Sequence, residues 1–107
     1  IFGMDRVDPT RNIYVTEGPF DSLFLDNSIA VAQSDLRVPQ FKDKAVLVPD
    51  NEPRNPEICK QIERCIDEGY KVCLWPNTIK EKDINDMILS GMLPSEVLGI
   101  IHSNNGE

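Results

Sequence analysis

Residues 13–21 have the sequence IYVTEGPFD, and this stretch decides the fold of the chain. The apolar, β-branched run at 12–16 predicts a strand, and the Glu-Gly-Pro that follows it predicts a turn. Pro19 suits the first position of a helix, and apolar residues then recur at helical spacing, so we expect a helix over 19–27. A strand that leads through a short turn into a helix is typical of α/β domains.

The rest of the chain repeats this alternation of strands and helices. Further strands are predicted at 28–32, 45–48 and 71–75. Further helices are predicted from Pro56 behind an Asn55 cap, from Asp83, and from a cap at Ser95, and Gly69 and Gly91 are expected to end the first two. A strand as apolar as 45–48 is typical of a parallel sheet covered by helices. The sequence therefore predicts an α/β fold of three layers around a four-stranded, mainly parallel sheet, in one domain over 1–107.

The charge balance limits the classes of function. The 107 residues include 18 acidic and 11 basic side chains, which gives a net charge of −7. A domain that binds nucleic acid through its phosphates should be basic, so we do not expect this chain to bind DNA by itself. Acidity instead suits a domain that gathers carboxylates around divalent cations and leaves phosphate contacts to the rest of a longer protein. A first residue that is Ile1 rather than Met agrees with a piece of such a protein.

Neither a membrane segment nor a zinc site is expected. The longest apolar runs are too short to span a bilayer, and no signal-peptide pattern is present. The three cysteines, Cys59, Cys65 and Cys73, form no C-x-x-C pair, and we expect them to be small buried side chains in a reducing cytoplasm. Trp75 ends an apolar strand and is expected in the core, whereas His102 is given no role.

Acidic residues follow three of the four predicted strands: Glu17 and Asp21 the first, Asp50 and Glu52 the third, and Asp83 and Asp86 the fourth. Ligands of open parallel sheets bind beyond the carboxyl ends of the strands. These acids can meet there only if the first, third and fourth strands are neighbours, which predicts the strand order 2-1-3-4. Singly, each acid has a structural explanation as a helix cap, a turn former or a partner of a helix dipole. Together they predict a site for Mg²⁺ or Mn²⁺, the ions that assist phosphoryl transfer.

The same residues resemble the Toprim domain shared by DnaG-type primases, topoisomerases and related nucleases. In that family an apolar strand ends in Glu-Gly with an Asp four residues after the Glu, as at 13–23. A second strand ends in Asp-x-Asp, which 46–52 matches with Glu52 at the last position. Primases add a later acidic element resembling Lys-Asp-Pro-Asp, which 82–86 matches with Asn85 at its second acidic position. The stretches 50–55 and 79–86 are most similar to primases of the T-even phage type.

The resemblance implies a Toprim (Rossmann-like) fold and the catalytic domain of a longer DNA primase that uses Mg²⁺ or Mn²⁺. It implies catalytic roles for Glu17, Asp50 and Glu52, and metal contacts from these three and Asp83. Supporting roles fall to Asp21, Asn85 and Asp86, and contacts with nucleotide phosphates to Arg54, Lys80 and Lys82. The implied enzyme is a nucleotidyltransferase, a DNA-directed RNA polymerase that makes short RNA primers on single-stranded DNA during replication. Its partners would be the template, ribonucleoside triphosphates and a replicative helicase, in the cytoplasm of the host if a bacteriophage encodes it.

Three other classes of protein share parts of this pattern. A Toprim nuclease has the same first two acidic elements, and a Toprim-like binding module has the same fold without catalysis. Only the element at 82–86 favours a primase over a nuclease. A response-regulator receiver domain also has a strand ending in acids, but there that strand opens the domain, whereas here it is the third of four. The receiver class is therefore excluded.

Overall fold

A four-stranded parallel sheet forms the centre of the chain. The computed structural model describes residues 3–31 and 35–104. Its strands are β1 (Ile13–Thr16), β2 (Ser28–Ala30), β3 (Ala45–Val48) and β4 (Lys71–Val72). They lie in the order β2-β1-β3-β4, which confirms the predicted order, and every pair is parallel. Because Thr16 lies opposite Val48, the chain leaves β1 and β3 at the same level of one sheet edge.

Helices cover both faces of this sheet. They are α1 (Pro19–Ser22), α2 (Pro56–Asp67), α3 (Ile84–Leu89) and α4 (Pro94–Ser103). One core cluster joins the sheet to Cys65 of α2, and the other joins it to buried residues of α3 and α4 such as Met87 and Ile101. The predicted three layers are thus confirmed, and they are consistent with the Toprim (Rossmann-like) fold. No helix within the described residues is long and apolar enough to span a bilayer.

The start of α2 follows the predicted capping pattern. The Asn55 side chain accepts hydrogen bonds from the backbone N–H groups of Glu57, at 3.0 Å, and Ile58, at 3.3 Å, and Pro56 occupies the first helical position. Gly69 ends the helix with a φ of 92°, in the left-handed region that glycine adopts without a steric penalty. These local signals position the loop 49–55, which carries Asp50 and Glu52, the two acids that follow β3.

The helix predicted over 19–27 is shorter than expected, because α1 ends at Ser22. The hydroxyl of Ser28 lies 2.7 Å from the carbonyl oxygen of Ser22 and 2.8 Å from that of Leu25, and takes up acceptors that a longer helix would use. Asn27 then adopts a positive φ of 54°, a left-handed conformation in which a right-handed helix cannot continue. The short helix leaves Asp21 in its only full turn, facing the sheet edge.

The strand predicted over 71–75 also ends early. The backbone N–H of Cys73 still donates to Leu47 at 2.8 Å, but that of Leu74 turns away to the carbonyl of Asn104 at 2.7 Å. The second strand ends at Ala30 rather than 32, and residues 32–34 lie outside the described part of the chain. Neither change affects the strand order.

The prediction that Ser95 caps the last helix is wrong, because α4 begins at Pro94 and its N-cap is Leu93, two residues before Ser95. Proline has no N–H to satisfy and is favoured at the first helical position. The Glu96 carboxylate accepts the backbone N–H of Leu93 at 2.9 Å, which completes the helix start without Ser95. Cys65 and Cys73 are buried as predicted, but Cys59 is only partly buried.

Candidate metal site

Three carboxylates meet at the carboxyl edge of the sheet. Asp21, Asp50 and Asp83 each present one carboxylate oxygen, and these oxygens all lie within 4.8 Å of one another. They come from three different segments: α1 after β1, the loop after β3, and the start of α3 beyond β4. The strand order that was predicted from the positions of the acids is therefore the order that brings these three together. We call these three residues the aspartate triad.

Two members of the triad are held by hydrogen bonds from backbone N–H groups. Asp21 is buried, and its Oδ1 accepts the backbone N–H of Asn85 at 2.9 Å. Asp83 caps α3, where its Oδ1 accepts the backbone N–H of Asp86 at 2.8 Å. Capping and membership of the triad are thus compatible roles for Asp83. Asn85 contributes its backbone rather than its side chain, and the side chain of Asp86 is exposed.

Glu17 and Glu52 lie beside the triad without belonging to it. The Glu17 carboxyl is close enough to that of Asp50 to share a hydrogen bond when one of them is protonated. Glu52 Oε1 forms an ion pair with Lys82 Nζ at 3.2 Å, and its Oε2 accepts from the Asn55 side chain at 3.3 Å. Asp21 therefore belongs to the group of acids around Asp50, whereas Glu52 does not. The sequence analysis had marked Asp21 only as a supporting residue.

The crowding of acids shows in their pKa values. Burial raises the pKa of Asp50 from its ordinary value of 3.8 to about 7, and neighbouring carboxylates add to the shift. Those neighbours are Glu17, Asp21 and Asp83, while the Lys82 ammonium opposes them. Burial also raises the pKa of Glu17 and of Asp21. Such a cluster carries its full negative charge at neutral pH only when a cation is close by.

The donor set fits the ion that the sequence resemblance implies. All of the converging ligand atoms are carboxylate oxygens, and hard oxygen donors suit Mg²⁺ and Mn²⁺ better than zinc or copper. The triad has one buried and two partly exposed members, so the site is open on one side. Mg²⁺ keeps several waters or phosphate oxygens in its shell, which an open site allows.

The predicted phosphate contacts lie outside the triad. Arg54 and Lys80 are exposed on the two loops that border it, and no hydrogen bond or ion pair engages either of them within residues 3–31 and 35–104. Lys82 is the basic residue nearest the acids and is paired with Glu52. Pairing with Glu52 also raises the pKa of Lys82, which keeps it charged.

Asn51 positions the site, although the sequence analysis gave it no role. Its side-chain amide donates to the carbonyl of Ile79 at 3.0 Å and to that of Glu81 at 3.0 Å. Its backbone N–H also donates to the carbonyl of Lys82. Asn51 thus fastens the loop that carries Asp83 to the loop that carries Asp50. An Asn directly after a candidate ligand was the only signal available in the sequence.

We expect Asn51→Ala to weaken divalent-cation binding several-fold and to lower the free energy of unfolding by about 1–3 kcal/mol. The substitution removes the two side-chain hydrogen bonds and frees Asp83 to move away from Asp50. Thermal melting with and without Mn²⁺ measures both effects. Asn77→Ala, a change of the same type at an exposed loop position, should leave both unchanged. Equal cation responses of the two variants would contradict the positioning role.

Fold and site together define an α/β domain with an acidic, cation-compatible site at the carboxyl edge of a parallel sheet. No protein-family model matches the chain. It is 43% identical to the DNA primase of Enterobacteria phage T4 over an alignment of 108 residues. The alignment covers 97% of this chain and 31% of the phage protein, so the chain spans about a third of the length of the curated relative it matches. The domain is therefore related to part of a phage DNA primase.

Proposed function

We propose that residues 1–107 of this chain form the Toprim catalytic domain of a longer DNA primase. It would take part in metal-dependent nucleotidyl transfer that makes short RNA primers on single-stranded DNA during replication. The observation that carries this proposal is the aspartate triad, found in a chain 43% identical to a DNA primase. Similarity supports a role in priming, and the triad supplies a site where its chemistry can occur.

We propose that Asp50 and Asp83 of the triad hold Mg²⁺ or Mn²⁺, with Glu17 and Glu52 reaching the ion from beside it. Asp21, whose oxygen completes the triad from the buried side, supports them. A bound divalent ion would neutralise nucleotide phosphates and stabilise the attacking and leaving oxygens of the transfer. Glu17, which lies beside Asp50, would also exchange a proton with a reacting group. We assign the catalytic roles to Glu17, Asp50 and Glu52.

The Glu52–Lys82 ion pair joins two groups whose charges suit different parts of the substrate. A carboxylate is attracted by a cation and an ammonium by a phosphate. The pair is partly exposed, with Lys82 more accessible than Glu52, so it contributes little to stability and can separate at small cost. Glu52 can then turn to the triad and Lys82 to the triphosphate. Asp86 and Asn85, at the start of α3, would support this arrangement by fixing Asp83 and Asp21.

The remaining partners would act through the parent protein. With a net charge of −7, the domain repels a DNA template unless other segments supply basic surface. We propose that those segments bind the single-stranded template and a replicative helicase, while this domain contributes the acids and binds ribonucleoside triphosphates. The proposed location is the cytoplasm, that of the host for a phage protein.

One assay separates this function from that of a Toprim nuclease. The parent protein is incubated with single-stranded DNA, Mg²⁺ and the four ribonucleoside triphosphates, with labels on both the DNA and one nucleotide. We expect short labelled RNA and intact DNA. Cleaved DNA without RNA would identify a nuclease, and neither product with Mg²⁺ or Mn²⁺ would leave a binding module as the better description.

A further inference from the structure

Exposed apolar side chains gather on the side of the sheet that α1, α3 and α4 cover. Among the residues that the structure describes, six large apolar side chains are exposed, and four of them belong to these elements. Phe20 and Leu23 lie on α1 and at its end, and Leu89 and Leu93 lie at the end of α3 and directly before α4. The exposed fraction is 67% for Phe20 and 76% for Leu89. We call these four residues the apolar face.

The elements that carry the apolar face are held firmly against one another. α1 contacts α3, and α3 contacts α4. The Asp21 carboxylate accepts the backbone N–H of Asn85 at 2.9 Å, which joins the start of α1 to the start of α3. Phe24 and Ile88, next to members of the face, pack partly buried against the core cluster of α3 and α4. Trp75, which was expected in the core, packs against the same cluster and stays partly exposed.

The rigid backing makes this group different from scattered surface leucines. A single exposed apolar side chain is ordinary in a folded protein. Several on neighbouring, well-packed elements are typical of a surface that another protein segment covers. The apolar face is therefore a candidate interface, and its surroundings indicate what would cover it.

The charges around the apolar face are mainly negative. All 11 Lys and Arg residues lie outside the stretches 12–36 and 83–107, which contain α1, α3 and α4. Asp86 and Glu96 are exposed on α3 and α4, near Leu89 and Leu93 in the sequence. A covering segment should therefore carry Lys or Arg around its own apolar residues.

Cations from the N-terminal segment reach the other end of the face. Arg6 lines a hollow beside Leu23, and Arg11 forms an ion pair with Asp26 at 2.9 Å. That ion pair neutralises Asp26. The requirement for a basic partner is thus strongest at the Leu89 end.

We infer that the apolar face docks a basic segment of the parent protein that lies outside these 107 residues. The alignment covers 31% of the phage relative, so most of that protein has no counterpart in this chain. Placing the occupant in the same polypeptide rests on the proposed function, which makes this chain one domain of a longer primase. A second copy of the chain fits less well, because it would bring acids against acids.

The position of the apolar face gives the docking a purpose. Phe20 directly precedes Asp21, a member of the aspartate triad, so a segment docked on Phe20 lies close to the acids. Cations on that segment would stay beside the triad and could hold a polyanionic template there. A domain with a net charge of −7 lacks the basic surface for this by itself.

Photo-crosslinking in the parent protein tests the docking. The photoreactive amino acid p-benzoylphenylalanine replaces Phe20 or Leu89, and the dilute protein is irradiated without metal or nucleotide. Mass spectrometry then identifies the crosslinked peptides. We expect both probes to join residues outside 1–107 of the same polypeptide, in a peptide rich in Lys or Arg. The matched control is the same probe at Ile66, an exposed apolar residue of α2 on the opposite face, and it should not reach that peptide.

Three outcomes would overturn the proposal. Crosslinked dimers would make the face an interface between two copies. Probes at Phe20 and Leu89 that capture no peptide would show that the face is uncovered. A captured peptide without Lys or Arg would remove the basic partner.

A pair of charge variants tests the electrostatic part separately. Leu89→Lys and Leu89→Glu remove similar apolar area and add opposite charges at an exposed position. With the probe at Phe20, Leu89→Lys should lower the crosslink yield several-fold, and Leu89→Glu should lower it much less, because like charges repel across an interface. Ile66→Lys, on the opposite face, should leave the yield unchanged. Equal losses from Leu89→Lys and Leu89→Glu would contradict a basic partner.

These results are distinguishable from failure of the proposed function. Crosslinking is read without metal, nucleotide or template, and every acid of the triad is intact. A parent protein that makes no primers could still show the crosslink, and one that makes primers could lack it.

Discussion

Replacing Asp50 by Asn in the parent protein is expected to lower primer synthesis by about 10²–10³-fold, the order expected when one electrostatic contact with the transition state is lost. Asn keeps the size of the side chain and removes its charge. Burial together with the neighbouring carboxylates of Glu17, Asp21 and Asp83 raises the pKa of Asp50 to about 7, so its charge is one that a cation must offset. Glu17→Gln should act in the same direction.

Template binding should stay nearly constant in both variants, because the acids do not attract DNA. Asp43→Asn is the matched control, since Asp43 is exposed before β3 at the opposite edge of the sheet. Primer yield is measured with labelled nucleotides, and template affinity by fluorescence anisotropy. Full synthesis by both acid variants would remove the catalytic assignment. A loss of template binding equal to the loss of synthesis would make these residues part of the scaffold instead.

The second large effect concerns stability without metal. A carboxyl whose pKa is raised by folding binds more protons in the folded chain than in the unfolded chain between the two pKa values. For Asp50 that window lies between about 4 and about 7, so its contribution to the free energy of unfolding is present below the window and is lost as pH rises through it. Glu17 and Asp21 shift in the same direction.

We therefore expect the metal-free chain to melt at a lower temperature at pH 7.5 than at pH 5.5. Asp50→Asn should raise the melting temperature at pH 7.5 on the order of 5 °C, which corresponds to about 1 kcal/mol in a domain of this size. Solvent reaches the Asp50 side chain, so the effect stays well below the full pKa shift. Mg²⁺ should stabilise the unchanged chain and not the variant.

Calorimetry between pH 5 and 8 in the presence of a chelator measures these differences. Acids whose pKa values are lowered, such as Asp26 and Asp35, lose their contribution only at more acidic pH and leave this window undisturbed. A melting temperature that rises with pH, or a destabilised Asp50→Asn chain, would show that the acids do not repel one another as the geometry requires.

The parts of the fold that could be predicted are those with local signals. The apolar run of β3 gave its bounds, and Asn55 with Pro56 gave the start of α2. The strand order followed from a chemical requirement, that acids after separate strands share one site, rather than from any local pattern. The observed strand order confirms this prediction. The reasoning holds because parallel strands place their carboxyl ends at one edge of the sheet.

What could not be predicted depends on contacts between distant residues. The amide of Asn51 meets carbonyls about 30 positions along the chain, and Tyr14 Oη lies 2.7 Å from Nε2 of His102, a residue 88 positions away in the sequence. Asp21 was ambiguous for the same reason. An acid in a first helical turn is stabilised by the helix dipole in any protein. Only the structure shows that Asp21 also accepts the N–H of Asn85 and presents a carboxylate oxygen to Asp50 and Asp83.

Paramagnetic broadening by Mn²⁺ tests the central claim, that the acids at the sheet edge form one divalent-cation site. Mn²⁺ is titrated into the isotopically labelled chain, and the loss of each backbone amide signal is followed. We predict early, selective loss of the signals next to Glu17, Asp50 and Asp83, unchanged signals around Lys44 at the opposite edge, and the same pattern in Asp43→Asn. Asp50→Asn should lose the selective response. A response spread evenly over the surface acids, or one that survives Asp50→Asn unchanged, would contradict the site.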